Sequence, residues 1–384
     1  MMNGYFDNAA TTYKKPDGMY AFAAKYMSSY GANVGRGDYE QSLTSGKLVS
    51  ETRSKLLTLV GAPEDRTVVF ASSATIALNM LIFGINLQEG DTIFISPFEH
   101  NAVLRPLYAL QKKTCIQVKI LPMQSDDKYQ FDLAKLEHDL QIFRPKAIIV
   151  SHVSNVLGVI APVDEIGKLA KKYNSIMIAD GAQACGLVNC DLHFIDYYVF
   201  DGHKTLLGPT GIGGFICRKN AKLDPFIFGG TGKDSANHNM PDALPERFEP
   251  GTMNLLSIAG LHYSIEWLME NIQFVRKQEE ANLERLYQIL NNYSYMEIVS
   301  PYPKIKVNSI IACRVAGFTS DEFGKILAAR GIAVRTGLHC APETHKYIGS
   351  FPEGLIRFSI SALTTNEEFV ALTQVLDELT DEIV

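Results

Sequence analysis

The sequence predicts an α/β fold with two parts, a large domain built on a mostly parallel sheet and a smaller α+β domain. Short apolar runs alternate with helical stretches through the first two-thirds of the chain, which is typical of parallel strands covered by helices on both faces. At 384 residues the chain is also longer than the length at which chains usually divide into more than one hydrophobic core. From about Asn254 the pattern changes to a long helical stretch, followed by alternating strands and helices. We therefore predict a large domain over residues 15–250, and a small domain formed by residues 1–14 and 251–384.

The elements of the large domain follow from apolar runs of strand length and from longer amphipathic segments. The predicted strands are TVVFAS (67–72), DTIFISP (91–97), CIQVKILP (115–122), KAIIVS (146–151), SIMIAD (175–180) and DYYVF (196–200). The predicted helices between them are NAVLRPLYALQKK (101–113), DLAKLEHDLQIF (132–143) and DEIGKLAKKY (164–173).

One uncharged run, residues 68–88, is long enough to span a bilayer. Its middle is the polar sequence SSAT, which is costly in lipid. A buried strand VVFAS (68–72) followed by a helix ATIALNMLIFGI (74–85) is the better interpretation, and we expect no membrane segment.

Charge and cysteine usage exclude several functional classes. The net charge of −6 argues against nucleic acid or an anionic membrane as the main partner. The six cysteines include no CxxC pair, so neither a disulfide framework nor a zinc finger is indicated. The first residues lack the features of a secretory signal. We expect a cytoplasmic protein.

Polar clusters follow the predicted strands, and parallel strands bring such clusters to one edge of the sheet. They are SSAT (72–75), FEHN (98–101), SHVSN (151–155), DGAQ (180–183) and DGHK (201–204). Asp180 ends an apolar strand, where a carboxylate needs a cationic partner. Lys204 follows the next strand, although a lysine in such a position is usually solvated, and His100 could simply cap a helix.

These side chains are the components of a pyridoxal phosphate site. A lysine amine can condense with the cofactor aldehyde, and a carboxylate can hold the pyridine nitrogen protonated. The helix that starts at SSAT could bind the phosphate, although a Ser or Thr there is more often an N-cap. The glycine-rich stretches GPTGIGG (208–214) and GGTGK (229–233) fit neither the dinucleotide nor the P-loop motif.

Several ordered motifs then resemble one family. SHVSNVLG (151–158), DGAQ, GHK with GPTGIGG (202–214), RFEPGTMN (247–254) and RTGLHCAP (335–342) look like the cysteine desulfurases of the class V aminotransferase family. The likeness runs from YFDNAATT (5–12) to the C-terminal helix. It implies a fold type I PLP-dependent transferase with a seven-stranded sheet, working as a homodimer. It further implies conversion of L-cysteine to L-alanine, with the sulfur left as a persulfide on Cys340 of a short RxGxHCA loop.

The resemblance also implies roles for individual residues. Lys204 would hold the cofactor and move protons, Asp180 would pair with the ring nitrogen, and His100 would stack on the ring. Further cofactor contacts would come from Ala74, Thr75, Asn155, Gln183 and His203, and from Thr252 of the other subunit. Arg357 would bind the substrate carboxylate, Asn155 could also contact the substrate, and Arg36 would approach the site across the dimer interface.

Two positions depart from the family pattern. Asp201 stands where many relatives have a hydroxyl that binds phosphate, so it must either turn away or alter cofactor binding. Leu338 stands where relatives with a short loop have histidine, which leaves His339 beside Cys340. We expect Arg335 and a charged His339 to stabilise the Cys340 thiolate.

Other functions remain open on the sequence. A selenocysteine lyase would share every motif, while a C–S lyase or aminotransferase of this fold would not need Cys340. A non-catalytic binding homologue would not need Lys204. A metal site of His339, Cys340 and His345 fits usual zinc spacings poorly. The family passes its persulfide to acceptor or scaffold proteins, including those of iron–sulfur cluster assembly, but no motif here identifies the acceptor.

Overall fold

The computed structural model describes residues 2–34, 37–232 and 236–383. In chain order the strands are β1 (Gly4–Tyr5), β2 (Arg66–Ala71), β3 (Thr92–Ile95), β4 (Gln117–Ile120), β5 (Ala147–Ser151), β6 (Ile176–Asp180), β7 (Tyr197–Asp201), β8 (Gly213–Arg218), β9 (Met296–Ile298), β10 (Ile310–Val315), β11 (Ile332–Ala333), β12 (Arg335–Gly337) and β13 (Leu355–Ser359). The helices are α1 (Met19–Tyr30), α2 (Glu40–Leu59), α3 (Ala74–Gly84), α4 (Asn101–Thr114), α5 (Leu133–Phe143), α6 (Val163–Lys172), α7 (Leu255–Asn291), α8 (Ser320–Ala329), α9 (Pro342–Ile348) and α10 (Asn366–Ile383).

Seven strands form the large sheet, in the order β2-β8-β7-β6-β5-β3-β4. The neighbours from β7 to β4 are all parallel, and only β8 runs antiparallel to β2 and β7. The predicted mostly parallel α/β fold is therefore confirmed. The six predicted strands and three predicted helices all form, and the uncharged run 68–88 divides into β2 and α3 as expected. The seventh strand, β8, was not predicted: its first two residues are the last glycines of GPTGIGG, and only the short apolar run FIC follows them.

Both faces of this sheet are buried, because alternate residues of each strand enter two different cores. Val68, Phe70, Phe94, Ile148 and Val150 lie on one side, packed against residues of α2, α5, α6 and α7. Val69, Ile93, Ile95, Ala147 and Ile149 lie on the other side, packed against α3 and α4. Double coverage explains why these strands read as continuous apolar runs.

The C-terminal part contains a four-stranded antiparallel sheet, in the order β12-β13-β10-β9. Its core joins Phe323, Phe358 and Phe369 with Phe6 from the start of the chain. The start is also tied in by β1, which pairs in parallel with β11. Residues from the two ends of the chain therefore share one core.

Helix α7 connects the two cores. It spans 37 residues and begins where the Asn254 side chain accepts a hydrogen bond from the Ser257 amide. Its first half packs in the core of the large sheet, through Ile258 and Ile265, whereas Leu286 and Leu290 pack in the C-terminal core. The change of pattern at Asn254 thus marks the start of a helix that both cores share. No helix in the described ranges is both long and apolar enough to cross a membrane.

Candidate active site

Three neighbouring strands end at the same edge of the large sheet and carry polar residues there. Ser151 of β5 pairs with Asp180 of β6, and Asp180 pairs with Val199 of β7, which ends two residues later at Asp201. The turn after β7 carries His203 and Lys204. The edge that the sequence predicts as a site therefore does bring carboxylates and the lysine together.

Lys204 lies close to the carboxylate of Asp201. Its Nζ atom is 3.8 Å from Asp201 Oδ2, and the same oxygen is 3.2 Å from Nε2 of His203. Asp201 is only 5% exposed. Asp201 Oδ1 and His203 Nδ1 are both buried, and among the described residues neither has a hydrogen-bond partner. Asp201 thus faces the site rather than turning away.

Asp180 is buried at the end of β6, and its Oδ1 accepts a hydrogen bond of 3.0 Å from the Ala182 amide. Burial raises the pKa of this carboxyl group, and the Ala182 hydrogen bond and the Lys204 charge oppose the shift. A positive group beside Asp180 would stabilise its charged form.

Glu99 is a third buried carboxylate, which was not singled out from the sequence. It accepts hydrogen bonds from the Ser151 amide (2.7 Å) and hydroxyl (2.9 Å), and from the Ser96 hydroxyl (2.5 Å). Burial raises its pKa to about 7. Its contacts fix the turn before α4 against the end of β5. An acidic residue in the short turn between the apolar run of β3 and the start of α4 is the signal that could have indicated it.

His100 is both a helix cap and a neighbour of Lys204. Its Nδ1 accepts a hydrogen bond of 3.0 Å from the Ala102 amide at the start of α4. Burial lowers its pKa to about 4, and the positive charge of Lys204 contributes to the shift. The ring is therefore neutral at pH 7 and carries its proton on Nε2.

The start of α3 lies against the ends of β7 and β8. Ser73 caps this helix by accepting a hydrogen bond of 3.3 Å from the Ile76 amide. Gly213, which pairs with Asp201, permits the approach, because a Cβ atom there would lie 2.8 Å from the Ala74 nitrogen. The free amides of α3 near Ala74 and Thr75 are thus placed beside Asp201.

Asn155 and Gln183 are buried and make specific contacts. Asn155 Nδ2 donates to the carbonyl of His339 at 2.7 Å, while its Oδ1 is buried without a partner among the described residues. Gln183 Nε2 donates to the Ala9 carbonyl at 2.7 Å. Thr252 is exposed and lines a groove of about 370 Å³ with Ser72 and Ile76, next to the start of α3. Arg36 lies outside the described residues.

Arg357 is 2% exposed and points toward the same edge. It donates to the Asn155 carbonyl at 2.8 Å and to Asp7 Oδ1 at 2.9 Å. Asp7 also accepts hydrogen bonds from Arg335, at 3.1 Å from Nη2 to Oδ2. Burial lowers the pKa of Arg357, and Asp7 opposes that shift. Asp7 was missed in the sequence, where nothing connects it with two arginines more than 300 residues away.

Cys340 is exposed on a loop that is tied to the large sheet. Its carbonyl accepts a hydrogen bond of 2.6 Å from the Asn101 amide, at the start of α4 beside His100. Two consecutive residues adopt left-handed backbone angles, His339 at φ 48° and Cys340 at φ 56°. Such strain persists only where surrounding contacts hold it, and here Asn101 and Asn155 supply them.

The environment of Cys340 corrects one expectation. Arg335 is a cationic neighbour as predicted: its pKa is raised first by its hydrogen bonds to Asp7, and an electrostatic interaction with Cys340 also raises it. The predicted charged His339 is wrong, because that ring is 6% exposed and burial holds its pKa well below the usual range.

Buried hydrogen bonds fix the protonation of His339 instead. Its Nε2 lies 3.3 Å from the Arg335 carbonyl and must donate to it, so Nδ1 accepts from His345 Nε2 at 3.2 Å. His345 Nδ1 in turn accepts from the Ser350 hydroxyl at 2.7 Å. Burial lowers the pKa of His345 to about 4. The two rings thus bind each other through their nitrogens. The described part of the chain contains no cluster of three His, Cys, Asp or Glu residues arranged to hold a metal ion.

Comparison with known proteins identifies the family. The family model described as Aminotransferase class-V matches residues 4–372. The chain belongs to the class-V aminotransferase family. Its relatives include a probable cysteine desulfurase of Pyrococcus abyssi, 31% identical over 98% of this chain and 94% of that protein. A probable cysteine desulfurase of Halobacterium salinarum is 30% identical over 97% of this chain and 91% of that protein.

Solved structures of this family confirm the predicted fold type. The apo structure of the cysteine desulfurase from Thermococcus onnurineus matches with a TM-score of 0.89 and 29% identity, over 99% of this chain and 95% of that one. The cysteine desulfurase CsdA (S-sulfonic acid) of Escherichia coli matches with a TM-score of 0.86 and 26% identity, over 100% and 96% of the two chains. The resemblance to cysteine desulfurases noted in the sequence therefore extends to the whole fold.

Proposed function

We propose that this class-V aminotransferase family member is a pyridoxal phosphate-dependent cysteine desulfurase, which converts L-cysteine to L-alanine and leaves the sulfur as a persulfide on Cys340. The observation that carries the proposal is the position of the Cys340 loop. Hydrogen bonds from Asn101 and Asn155 hold it over the sheet edge that carries Lys204 and Asp180. The relatives named cysteine desulfurase support the same activity.

The residues at this edge fit pyridoxal phosphate. Lys204 offers the amine for the aldehyde, and Asp180 offers a carboxylate whose charge a protonated pyridine nitrogen would stabilise. The start of α3 offers amides for the phosphate. Asn155 Oδ1 and His203 Nδ1 are buried polar atoms without partners among the described residues, as expected of groups that bind a ligand. When bound, the cofactor supplies an electron sink for the amino-acid substrate.

Binding and proton transfer fall to residues of the chain. Arg357 is preorganised by Asn155 and Asp7, and its buried Nε has no partner among the described residues. We assign to Arg357 the role of binding the substrate carboxylate. Asp7 would then keep its hydrogen bonds to Arg335. The Lys204 amine moves the proton at the substrate Cα. His100, which is neutral, presents its Nε2–H as a second proton donor.

Sulfur transfer requires a sulfur nucleophile, which Cys340 provides. Its thiolate attacks the sulfur of the bound cysteine and forms an S–S bond, while the Cβ–S bond breaks and leaves its electron pair on the carbon skeleton. That carbon takes up a proton, and the product leaves as alanine. Arg335 stabilises the thiolate electrostatically.

The test is a substrate panel with alanine and sulfide quantified. We expect the purified protein to be yellow and to release alanine from L-cysteine. Cys340→Ser should retain the visible absorbance and lose roughly a hundredfold or more of the sulfur transfer. Cys115→Ser removes another exposed thiol and should change nothing. Undiminished turnover in Cys340→Ser would exclude the proposed mechanism. Release from selenocysteine alone would assign a selenocysteine lyase, and a keto-acid requirement would assign an aminotransferase.

The proposal extends to partners and setting. We propose a homodimer in which Thr252 and Arg36 complete the partner's site. Cys340 is exposed, so a sulfur-acceptor or scaffold protein, as in iron–sulfur cluster assembly, could reach its persulfide. The described cysteines are all free thiols, which suits the cytoplasm.

A further inference from the structure

Asp201 places a carboxylate at the position where a cofactor phosphate would bind. It ends β7 beside the start of α3, and it is buried. Two buried anions in contact repel each other strongly, so the arrangement needs a cation between them.

His203 lies in the position to supply that cation. Its Nε2 is 3.2 Å from Asp201 Oδ2, and its other nitrogen, Nδ1, is buried without a partner among the described residues. Since Nε2 faces a carboxylate, Nδ1 can donate to an anion only if the ring carries two protons. A doubly protonated ring would carry one positive charge between two negative groups.

The backbone of His203 is fixed independently of its ring. Its carbonyl accepts hydrogen bonds from the Thr12 amide (3.0 Å), the Thr12 hydroxyl (3.1 Å) and Lys15 Nζ (3.2 Å). These contacts tie the turn after β7 to the start of the chain. Because the backbone is fixed by these contacts and Nε2 is fixed by Asp201, the free Nδ1 atom points in a defined direction.

We propose that Asp201 is the counter-ion of a doubly protonated His203, whose Nδ1–H donates to the phosphate of pyridoxal phosphate. Asp201 is then a positioning residue that strengthens phosphate binding through His203. The inference rests on the proposed cofactor and goes beyond it, because it assigns a favourable role to the residue that departs from the family pattern.

Other charged groups face this pair and belong in any pH analysis. Lys204 Nζ is 3.8 Å from Asp201. The charge of Lys204 also interacts with Asp180 and with His100. Lys15 contacts the His203 carbonyl, and burial lowers its pKa to about 8. The phosphate contribution must therefore be separated from that of the rest of the cofactor.

The experiment compares pyridoxal phosphate with pyridoxal, which lacks the phosphate. Dissociation constants of both are measured on the cofactor-free protein by absorbance, for the native chain, Asp201→Asn and Asp201→Ala. The dissociation constant of pyridoxal divided by that of pyridoxal phosphate measures how much the phosphate contributes to binding. We expect both variants to lose about tenfold of this ratio, because the His203 ring then lacks the carboxylate that serves as its counter-ion.

Asp191→Asn is the matched control. Asp191 forms another Asp-x-His contact, 2.7 Å from His193 Nδ1, but its side chain is 45% exposed and it precedes β7 at the opposite edge of the sheet. It should leave the ratio unchanged. In a His203→Ala background the Asp201 substitutions should also have no effect, because Asp201 acts through that ring.

Tighter binding of pyridoxal phosphate by Asp201→Asn and Asp201→Ala would overturn the inference and show direct repulsion. An Asp201 effect that persists in His203→Ala would overturn it as well. A native chain that binds neither compound would instead contradict the proposed function. Thermal unfolding of each variant separates loss of folding from loss of phosphate contact.

Discussion

The two halves of the candidate site are built differently. The lysine side consists of residues that end regular strands, with Asp180 and Asp201 buried at the edge of the sheet. The cysteine side is a loop in which His339 and Cys340 adopt left-handed angles and the thiol is exposed. Sheet register positions the lysine side, whereas hydrogen bonds from the other half of the molecule position the thiol. The two sides should therefore fail in different ways when they are changed.

The largest effect should come from the lysine side. Lys204→Ala should abolish alanine release, by roughly a thousandfold or more, and also remove the stable visible absorbance. This contrasts with Cys340→Ser, which should lose only sulfur transfer. Absorbance spectra and alanine assays on the same preparations test the contrast. Lys112→Ala, an exposed lysine on α4, is the control and should behave as the native chain. Retained colour in Lys204→Ala would contradict the assignment of Lys204.

A smaller loss should follow when the contact between the two sides is removed. Asn155 donates to the His339 carbonyl, and its own carbonyl accepts from Arg357. Asn155→Ala keeps the hydrogen bond from Arg357 to the backbone carbonyl but removes the one to His339 in the cysteine loop. We expect kcat/KM to fall by about ten- to a hundredfold, because the thiol is no longer held in place. The rate of persulfide formation should fall more than cofactor binding does. Asn292→Ala, at the exposed end of α7, should have no effect. A loss confined to cofactor affinity would show that Asn155 serves the lysine side alone.

The lysine side was predictable from sequence because it depends on local patterns. Apolar runs locate the strands, and the residues after each run must meet at one edge. The exception is β8: in GPTGIGG the glycines indicate a loop, yet Gly213 is required in a strand so that α3 can approach. Gly213 allows close packing because it has no side chain, and for the same reason it contributes nothing to the apolar pattern that predicts a strand.

The cysteine side was only partly predictable, because its properties depend on tertiary contacts. The motif around Cys340 is visible in the sequence, but the neutral state of His339 depends on burial against His345. Asp7, which orients Arg335 and Arg357, lies at the other end of the chain. Neither spacing nor composition connects such distant residues.

Breaking the hydrogen bonds behind the loop should cost stability more than chemistry. Ser350→Ala leaves His345 Nδ1 buried without its donor, which should lower the free energy of unfolding by about 1–2 kcal/mol. We expect kcat to fall only a few-fold and the visible absorbance to stay unchanged. Chemical denaturation and steady-state assays measure the two effects. Ser54→Ala, on the exposed face of α2, is the matched control. Unchanged stability in Ser350→Ala would show that the histidine pair does not support the loop.

The smallest effect should be a selective loosening of the loop by acid. Burial lowers the pKa of His339 well below 6.5 and that of His345 to about 4, so both rings are neutral in the folded state. Unfolding lets them take up protons once the pH falls below about 6.5, so their stabilising contribution is present above that pH and is lost progressively down to about pH 4. Hydrogen-exchange protection of residues 335–350 should therefore fall a few-fold between about pH 7 and 5, relative to β5 and β6.

The strands should respond differently to acid. Burial raises the pKa of Glu99, which supports the end of β5, to about 7, so acid favours its neutral buried form and opposes loosening there. Equal loss of protection in the loop and the strands would remove the distinction between the two sides.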